Sequence, residues 1–435
     1  MGASLIAAVE AWEALDSRGT PTVSCEVRLE GGARGQATVP SGASRGSHEA
    51  HELRDGGTRF GGLGVGRAVA NVRELIAPAA LGLDAADQEG LDRALRDLDG
   101  TPTLGRLGAN AVLAVSLAAA LAAAETEGTP LYRRLARELA PLLPLPMLNI
   151  LSGGAHAAGA VDFQDFLVVP VGATSFAEAL EWAWRVRRGT AEAAEETRRS
   201  AALVADEGGL GLPLPSNRAA LELLASGIER SGLAPGEDAA IAVDVAATQL
   251  AGAAGGYLLR SEGRTLDAGG LVDELEGWCA EHPIVSIEDP LAEDDWAGWA
   301  EATRRLGGRV QLVGDDLFAT SVERLARGVE EGAATAVLVK PNQVGTLSDA
   351  LATLGLAREA GYGTIVSARS GDTEDSWLAD LAVGSAAGQI KVGSTTRSER
   401  TAKWNRLLRI EAELGDTARF AGREALVYRD RAASS

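Results

Sequence analysis

The sequence of 435 residues predicts an α/β protein in which a small α+β domain precedes a closed β/α barrel that is modified at its start. Alternating and helical patterns fill the first part of the chain, and eight short apolar runs, most of them separated by helical stretches, fill the rest. Parallel strands need such helical crossovers, and eight strands are enough to close a barrel. A doubly wound open sheet is the alternative. We therefore expect a capping domain over residues 1–140 and a catalytic barrel over residues 141–435.

The first domain is predicted from a small antiparallel sheet and four helical segments. Residues from Thr22 to Leu29 alternate, and Gly31-Gly32 supplies a turn before a second strand over Arg34 to Val39. Helical patterns follow at 66–80, 86–98, 109–126 and 130–140. The segment from Gly108 to Ala124 lacks charge, but its many alanines indicate a buried core helix rather than a membrane span.

The barrel is predicted from the apolar runs, each of which is short enough to be a buried strand. The first two are too close together for a helix between them, and the second and third are separated by two helical stretches at 175–199 and 217–231. The runs lie at Met147 to Leu151, Phe163 to Pro170, Ile241 to Ala246, Ile284 to Glu288, Val310 to Asp315, Thr335 to Lys340, Gly363 to Ala368 and Gln389 to Gly393.

Composition excludes several classes of function. A net charge of -20 gives no electrostatic support to nucleic-acid binding. Two cysteines are too few for a secreted disulfide scaffold, and the first residues carry Glu10 and Glu13 where a signal peptide would be basic and then apolar. We therefore expect a cytoplasmic protein that binds neither nucleic acid nor a membrane, and that holds an anionic substrate with local cations.

Five of the apolar runs carry, at or near their ends, a charged residue that is costly to bury. These residues are Asp244, Glu288, Asp315, Lys340 and Lys391. The C-terminal ends of barrel strands converge on one mouth, so residues distant in sequence meet there. Three carboxylates in one place need a counter-charge, and a hard divalent cation such as Mg²⁺ is the natural one. Any single acid of this kind can instead cap a helix or pair with an arginine.

The scarcity of lysine supports a chemical role for two of these positions. Only three of the 41 basic residues are lysines, and a guanidinium cannot release its proton in a protein whereas a crowded ammonium can. Beside a second ammonium and a metal ion, the pKa of Lys340 is expected to fall toward neutrality, as a general base requires. Lys391 supplies the second charge. Lys403 lies in a helical stretch and is expected to be an ordinary exposed lysine.

Two loops add further candidates. Asp206-Glu207-Gly208-Gly209 lies between two helical stretches, where an acid can donate a proton opposite the base, although such a motif alone is a common turn. His156 lies in a glycine-bearing loop after the first barrel strand, shortly before Gln164 and Asp165; a lone histidine is usually structural. The motif His48-Glu49-Ala50-His51 has the wrong histidine spacing for a zinc protease helix.

Eight short motifs are spread over nearly the whole chain. They are Leu15-Asp16-Ser17-Arg18-Gly19, Val39-Pro40-Ser41-Gly42-Ala43-Ser44, Leu107-Gly108-Ala109-Asn110-Ala111, Gly153-Gly154-Ala155-His156-Ala157, Asp206-Glu207-Gly208-Gly209, Ser286-Ile287-Glu288-Asp289, Val313-Gly314-Asp315-Asp316 and Gly388-Gln389-Ile390-Lys391. These motifs resemble those of the enolases, the phosphopyruvate hydratases. The resemblance implies a modified TIM barrel of ββαα(βα)₆ type behind a small cap domain, a homodimer or higher homo-oligomer, and an active site that takes 2-phosphoglycerate with two Mg²⁺ ions.

The resemblance also implies roles for the matching residues. The first Mg²⁺ would be bound by Asp244, Glu288 and Asp315, and the second with the help of Ser44. Lys340 would remove the proton alpha to the carboxylate, and the metal ions with Lys391 would stabilise the enediolate.

At the other end of the substrate, Glu207 would assist departure of hydroxide, with His156 and Asp165 in the same catalytic group. Arg369 and Ser370 would bind the phosphate, and Gln164 would position the carboxylate.

Three departures from the enolase pattern cluster around the phosphate and the leaving group. Ala368 stands where enolases place a histidine, Asp165 where they place a glutamate, and Arg45 where they place a threonine. Loss of the imidazole opens volume, and Arg45 offers a bidentate partner for an additional anionic group. These changes favour a specialised paralogue in phosphonate antibiotic biosynthesis, similar to carboxyphosphonoenolpyruvate synthase. An ordinary phosphopyruvate hydratase is the alternative, and a catalytically silent scaffold protein is the third reading.

Overall fold

The computed structural model describes residues 2–43, 45–252 and 255–428, which form a small sheet with helices followed by a closed barrel of eight strands. The predicted α/β class, with a cap domain before a ββαα(βα)₆ barrel, is therefore confirmed. The alternative of a doubly wound open sheet is excluded because the barrel closes on itself.

The cap domain consists of an antiparallel sheet and a group of helices. Its strands, in sheet order, are β1 (Ile6–Leu15), β2 (Pro21–Leu29) and β3 (Arg34–Thr38). A π-helical turn, Val72–Ile76, joins its first two helices. The helices are α1 (Gly66–Asn71), α2 (Ala77–Ala80), α3 (Gln88–Asp99), α4 (Ala109–Thr126) and α5 (Leu131–Ala136).

Helix α4 is the centre of the cap domain. It is long and apolar enough to cross a membrane, but 83% of it is buried inside the protein. Its small alanines allow close contact, and the backbone of β3 approaches the helix at Gly35. The interpretation of this segment as a core helix is confirmed.

The barrel closes in the order β10, β11, β12, β13, β4, β5, β6, β9, and a two-stranded hairpin of β7 and β8 is inserted after β6. Strand β5 runs antiparallel to both neighbours, whereas the other pairs are parallel. The strands are β4 (Leu145–Ser152), β5 (Asp165–Val169), β6 (Ala240–Asp244), β7 (Tyr257–Leu259), β8 (Arg264–Leu266), β9 (Ile284–Glu288), β10 (Gln311–Gly314), β11 (Ala336–Val339), β12 (Gly363–Ser367) and β13 (Gln389–Gly393).

The barrel helices follow the strands and cover the outside of the barrel. Most of them begin at a Ser, Thr or Asp whose side chain accepts a backbone N–H of the first turn, which satisfies a donor that the helix leaves unpaired. The helices are α6 (Phe176–Glu196), α7 (Asn217–Arg230), α8 (Ala268–Glu281), α9 (Trp296–Leu306), α10 (Val322–Glu331), α11 (Leu347–Glu359), α12 (Trp377–Gly384) and α13 (Ser398–Leu414).

Strand direction determines which residues reach the mouth of the barrel. Parallel strands bring their C-terminal ends to it, and the antiparallel β5 brings its first residue, Asp165. Asp165 lies opposite Asp244 in the sheet, and Asp244 lies opposite Glu288. Neighbouring strands therefore present acids side by side at one rim.

The packing of β3 on α4 leads to a testable prediction. A Cβ at Gly35 would lie 2.1 Å from the carbonyl oxygen of Ala118 and 2.3 Å from the amide nitrogen of Ala122, so Gly35→Ala must push α4 away from the sheet. We expect a loss of roughly 1–3 kcal/mol in the free energy of unfolding, measured by urea titration. The control is Gly277→Ala on α8, where a Cβ meets nothing within 4 Å. Equal stability of the two variants would contradict this packing.

Candidate active site

The mouth of the barrel contains a small cavity of about 20 Å³. Such a volume holds little more than one water molecule, so a substrate must displace side chains that now close the cavity. Its lining residues are His156, Gln164, Glu207, Lys340, Ser367, Ala368, Arg369, Ser370 and Lys391. Sequence reasoning missed Ser367, although its place as the last residue of β12 marks it as a rim position.

Lys391 forms the central ion pairs of the site. Its Nζ donates to Asp244 Oδ2 at 2.8 Å and to Glu288 Oε2 at 2.7 Å, and all three side chains are buried. Burial lowers the pKa of Lys391, but the two carboxylates raise it more, so the net pKa lies well above the usual lysine value. Lys391 is therefore a fixed positive charge.

Lys340 pairs with the third predicted acid. Its Nζ lies 2.5 Å from Asp315 Oδ2, and Gln343 donates to Asp315 Oδ1 at 3.0 Å. Burial lowers the pKa of Lys340, but its contacts with Asp315, together with the charge of Glu288, raise it above the usual lysine value. The carboxylate that faces Lys340 stabilises its ammonium. The fall of this pKa toward neutrality is expected beside a metal ion and stays a prediction.

The donor set fits a hard divalent cation. Glu288 Oε1 is buried and has no hydrogen-bond partner among the described residues, and burial together with the charge of Asp244 holds the pKa of Glu288 well above its usual range. A cation would satisfy this oxygen and relieve the repulsion between the acids. Ser44, the predicted ligand of the second ion, lies outside the described residues.

A second acidic group lies beside Asp315. One oxygen each of Asp289, Asp315 and Asp316 lies within 4.8 Å of the others, as a metal site requires. Asp289 accepts the backbone N–H of Asp315 at 3.0 Å and that of Asp316 at 2.8 Å. Burial and the charge of Asp315 raise the pKa of Asp316 to about 7. Sequence reasoning gave neither neighbour a role, although both follow a predicted metal acid directly.

His156, which lines the cavity, lies between two acids. Its Nδ1 is 2.8 Å from Asp165 Oδ2, and its Nε2 is 3.8 Å from Glu207 Oε1. Ser152 donates to the other oxygen of Asp165, Oδ1, at 3.0 Å, and Asn149 also donates to Oδ1. Burial lowers the pKa of His156, but the charges of Asp165 and Glu207 raise it further, to about 9. The ring is therefore an imidazolium at neutral pH.

Arg369 is held by an acid of the cap domain. Its guanidinium donates to Glu49 Oε2 at 2.9 Å and Oε1 at 3.2 Å, and also to Asn342 Oδ1 at 3.2 Å. Neighbouring Ser370 Oγ accepts the backbone N–H of Ala43 at 2.6 Å. Sequence reasoning considered Glu49 only within a rejected zinc motif. Nothing in the local sequence links it to an arginine 320 residues away.

Arg45 does not line the cavity. Its guanidinium pairs with Glu52, which also accepts Arg54, and 41% of the Arg45 side chain is exposed. Burial and the nearby charge of Arg54 lower the pKa of Arg45, with smaller contributions from Arg369 and Arg18. Arg18, Arg54 and Arg369 are thus near enough to Arg45 for their charges to affect it.

Gln164 and Lys403 complete the set of predicted residues. Gln164 Nε2 donates to Asp244 Oδ2 at 3.1 Å, so its amide is engaged by a predicted metal acid. Lys403 is not the exposed lysine that the sequence suggested: it is 1% exposed, and its Nζ lies 2.6 Å from Asp372 Oδ1.

Comparison with known families accounts for both domains. The family model "Enolase, N-terminal domain" matches residues 6–135, and "Enolase, C-terminal TIM barrel domain" matches residues 140–429. The chain belongs to the enolase family. Enolase-family membership and the acids at the barrel mouth together identify an Mg²⁺-dependent lyase of the enolase type.

The environment of His156 makes stability depend on pH. Because its folded-state pKa of about 9 exceeds the ordinary histidine value of 6.5, the imidazolium stabilises the fold fully below pH 6.5 and loses this effect as pH rises through 9. We expect His156→Gln to cost up to about 3 kcal/mol at pH 6 and much less at pH 9.5. Calorimetric unfolding at both pH values measures the difference. A pH-independent difference would contradict the assignment.

Proposed function

We propose that this enolase-family protein removes the proton alpha to the carboxylate of a 2-phosphoglycerate-type substrate and expels the group at the next carbon to form an enolpyruvate product. We propose further that its substrate is a specialised one with an additional anionic group, as in phosphonate antibiotic biosynthesis. The observation that carries the proposal is that Lys340, Lys391, Glu207 and Ala368 all line one cavity at the mouth of the barrel.

Lys340 is the proposed base. It must be a neutral amine to accept the alpha proton, and its contact with Asp315 now opposes this. If Asp315 held a cation, its carboxylate would stabilise the Lys340 ammonium less, and the charges of Arg369 and Lys391 would lower the pKa of Lys340 further. The metal site and the base are therefore coupled through one carboxylate.

Two Mg²⁺ ions held by Asp244, Glu288, Asp315 and Ser44 would neutralise the charge that develops on the substrate carboxylate. Lys391 adds a permanent positive charge beside the same acids. Gln164, which donates to Asp244, is close enough to orient the substrate carboxylate.

Glu207 and His156 are proposed to act on the leaving group. The proton that departing hydroxide needs comes from Glu207 or from the His156 imidazolium, whose Nε2 faces Glu207 across 3.8 Å. Asp165 holds the other ring nitrogen at 2.8 Å and so fixes the orientation of the ring. We expect Glu207 and His156 to be more important in this chain than in other enolases, because Ala368 replaces the histidine that enolases place near the leaving group.

The specialised substrate is supported by the charges at the phosphate end. Arg45, which replaces the threonine of the enolase pattern, joins Arg18, Arg54 and Arg369 in one cationic group. A substrate with an additional anionic group would have to draw Arg45 away from Glu52 and widen the small cavity beside Ala368. The retained acids and lysines favour an ordinary phosphopyruvate hydratase as the second candidate, and a scaffold without catalysis ranks third.

We also propose that the protein forms a homodimer or higher homo-oligomer. Sedimentation velocity tests this proposal.

Replacement of the base tests the reaction class. Lys340→Met keeps the apolar stem and removes the amine, so exchange of the substrate alpha proton with solvent deuterium should fall about 10²–10⁴-fold. Mg²⁺ affinity, measured by calorimetry, should stay within a few-fold of the wild type because the carboxylates remain. Unchanged exchange with intact metal binding would show that another group is the base.

Restoring the imidazole tests the specialised substrate. Ala368→His should raise dehydration of 2-phosphoglycerate by about 10–100-fold, as expected for one charge-assisted hydrogen bond at the leaving group. Ala368→Phe fills the same space without a proton donor and serves as the control. Turnover of 2-phosphoglycerate and of phosphonate-bearing analogues by all three proteins, with and without Mg²⁺, ranks the candidates. Rapid wild-type turnover of 2-phosphoglycerate alone would favour the ordinary hydratase.

A further inference from the structure

The segment of residues 369–373, which we call the grip loop, follows β12 and carries the two residues proposed to bind the phosphate. Its upper side touches the cap domain, where Ser41 and Gly371 exchange two backbone hydrogen bonds of 2.7 and 2.9 Å. Its lower side rests on α13. Two cations of that helix, Arg400 and Lys403, are buried against the loop and take no part in the chemistry described above.

Arg400 is fully buried and binds main-chain oxygens of three residues. Its Nη1 donates to the carbonyl of Arg369 at 2.7 Å and to that of Val392 at 2.9 Å, and its Nη2 donates to the carbonyl of Ser370 at 2.6 Å. Val392 directly follows Lys391 in β13. One guanidinium therefore joins the backbone of the phosphate-binding residues to the strand that carries the central lysine.

Lys403 lies one turn further along α13 and holds the other end of the grip loop. Its Nζ donates to Asp372 Oδ1 at 2.6 Å and to the carbonyl of Thr373. The second oxygen of Asp372 accepts the backbone N–H of Arg369 at 3.3 Å. The Asp372 carboxylate thus links the side chain of Lys403 to the backbone of Arg369.

The path of Arg400 to the loop depends on a glycine. Gly393 has φ of +123°, and a Cβ there would lie 2.9 Å from Arg400 Cδ and 2.6 Å from the carbonyl oxygen of Glu207. The side chain of Arg400 thus passes directly beside the end of β13, at a residue that the backbone of Glu207 also approaches closely.

We infer that Arg400 and Lys403 are positioning residues for anion binding: from α13 they fix the grip-loop backbone so that Arg369 and Ser370 point into the cavity. This inference rests on the proposed role of those two residues in binding the phosphate. The fork of Arg400 is essential, because an ammonium is a point charge and cannot bind carbonyls of three residues in one plane. The pair acts on affinity for the anion and leaves the base at Lys340 in place.

The experiment measures binding of inorganic phosphate to the Mg²⁺-loaded protein by calorimetry, together with KM and kcat for the turned-over substrate. Arg400→Lys and Lys403→Met should each weaken phosphate binding and raise KM about tenfold, as expected when a hydrogen bond to a charged group is lost. The rate of alpha-proton exchange at saturating substrate should change less than threefold. Arg406→Met is the matched control: Arg406 lies on the same helix and pairs with Asp380 at 2.6 Å, away from the grip loop.

The outcomes distinguish the proposed phosphate site at Arg369 from the proposed positioning role of Arg400 and Lys403. If Arg369→Met binds phosphate as tightly as the wild type does, the proposed phosphate site itself is wrong. If Arg369→Met weakens binding but Arg400→Lys and Lys403→Met bind phosphate as the wild type does, only the positioning role is overturned. Should Arg400→Lys fail to fold, Lys403→Met and Asp372→Asn carry the test, and a loss of thermal stability with normal phosphate affinity in both would refute the inference.

Discussion

The site depends on charge compensation between buried acids and two buried lysines. Lys391 lies between Asp244 and Glu288, and Lys340 faces Asp315. Without these contacts, neighbouring strands would bring several carboxylates into a poorly solvated space with no counter-charge. The same repulsion that makes the arrangement costly also prepares it for a divalent cation, because one oxygen of Glu288 remains without a partner among the described residues.

The cavity brings two kinds of groups together. Lys340 and Lys391 pair with buried acids, whereas His156 is held between Asp165 and Glu207. Ala368, where the sequence departs from the enolase pattern, donates its backbone N–H to the carbonyl of Lys391 at 2.9 Å. The proposed change of substrate would therefore take place directly beside the central lysine and would have to leave its ion pairs intact.

The sequence predicts the fold well because strand and helix periodicity is local. The predicted bounds of Ile284–Glu288 and Gln389–Gly393 match β9 and β13, and the two-helix insertion after β5 was also expected. Strand ends likewise predict that Lys340 and Lys391 meet. Local sequence patterns do not show which residue pairs with a given charged side chain. Glu49 on Arg369, Glu52 on Arg45 and Asp372 on Lys403 are contacts between distant segments, and only the folded chain reveals them.

The contact between Glu49 and Arg369 has a consequence for ligand exchange. Because Glu49 already pairs with the guanidinium, an anion bound by Arg369 as proposed would gain only the difference between two similar ion pairs. The same carboxylate can return to the guanidinium as the product leaves, so departure need not expose a bare buried cation. An internal competitor of this kind would lower the affinity for the anion and raise the rate of its release.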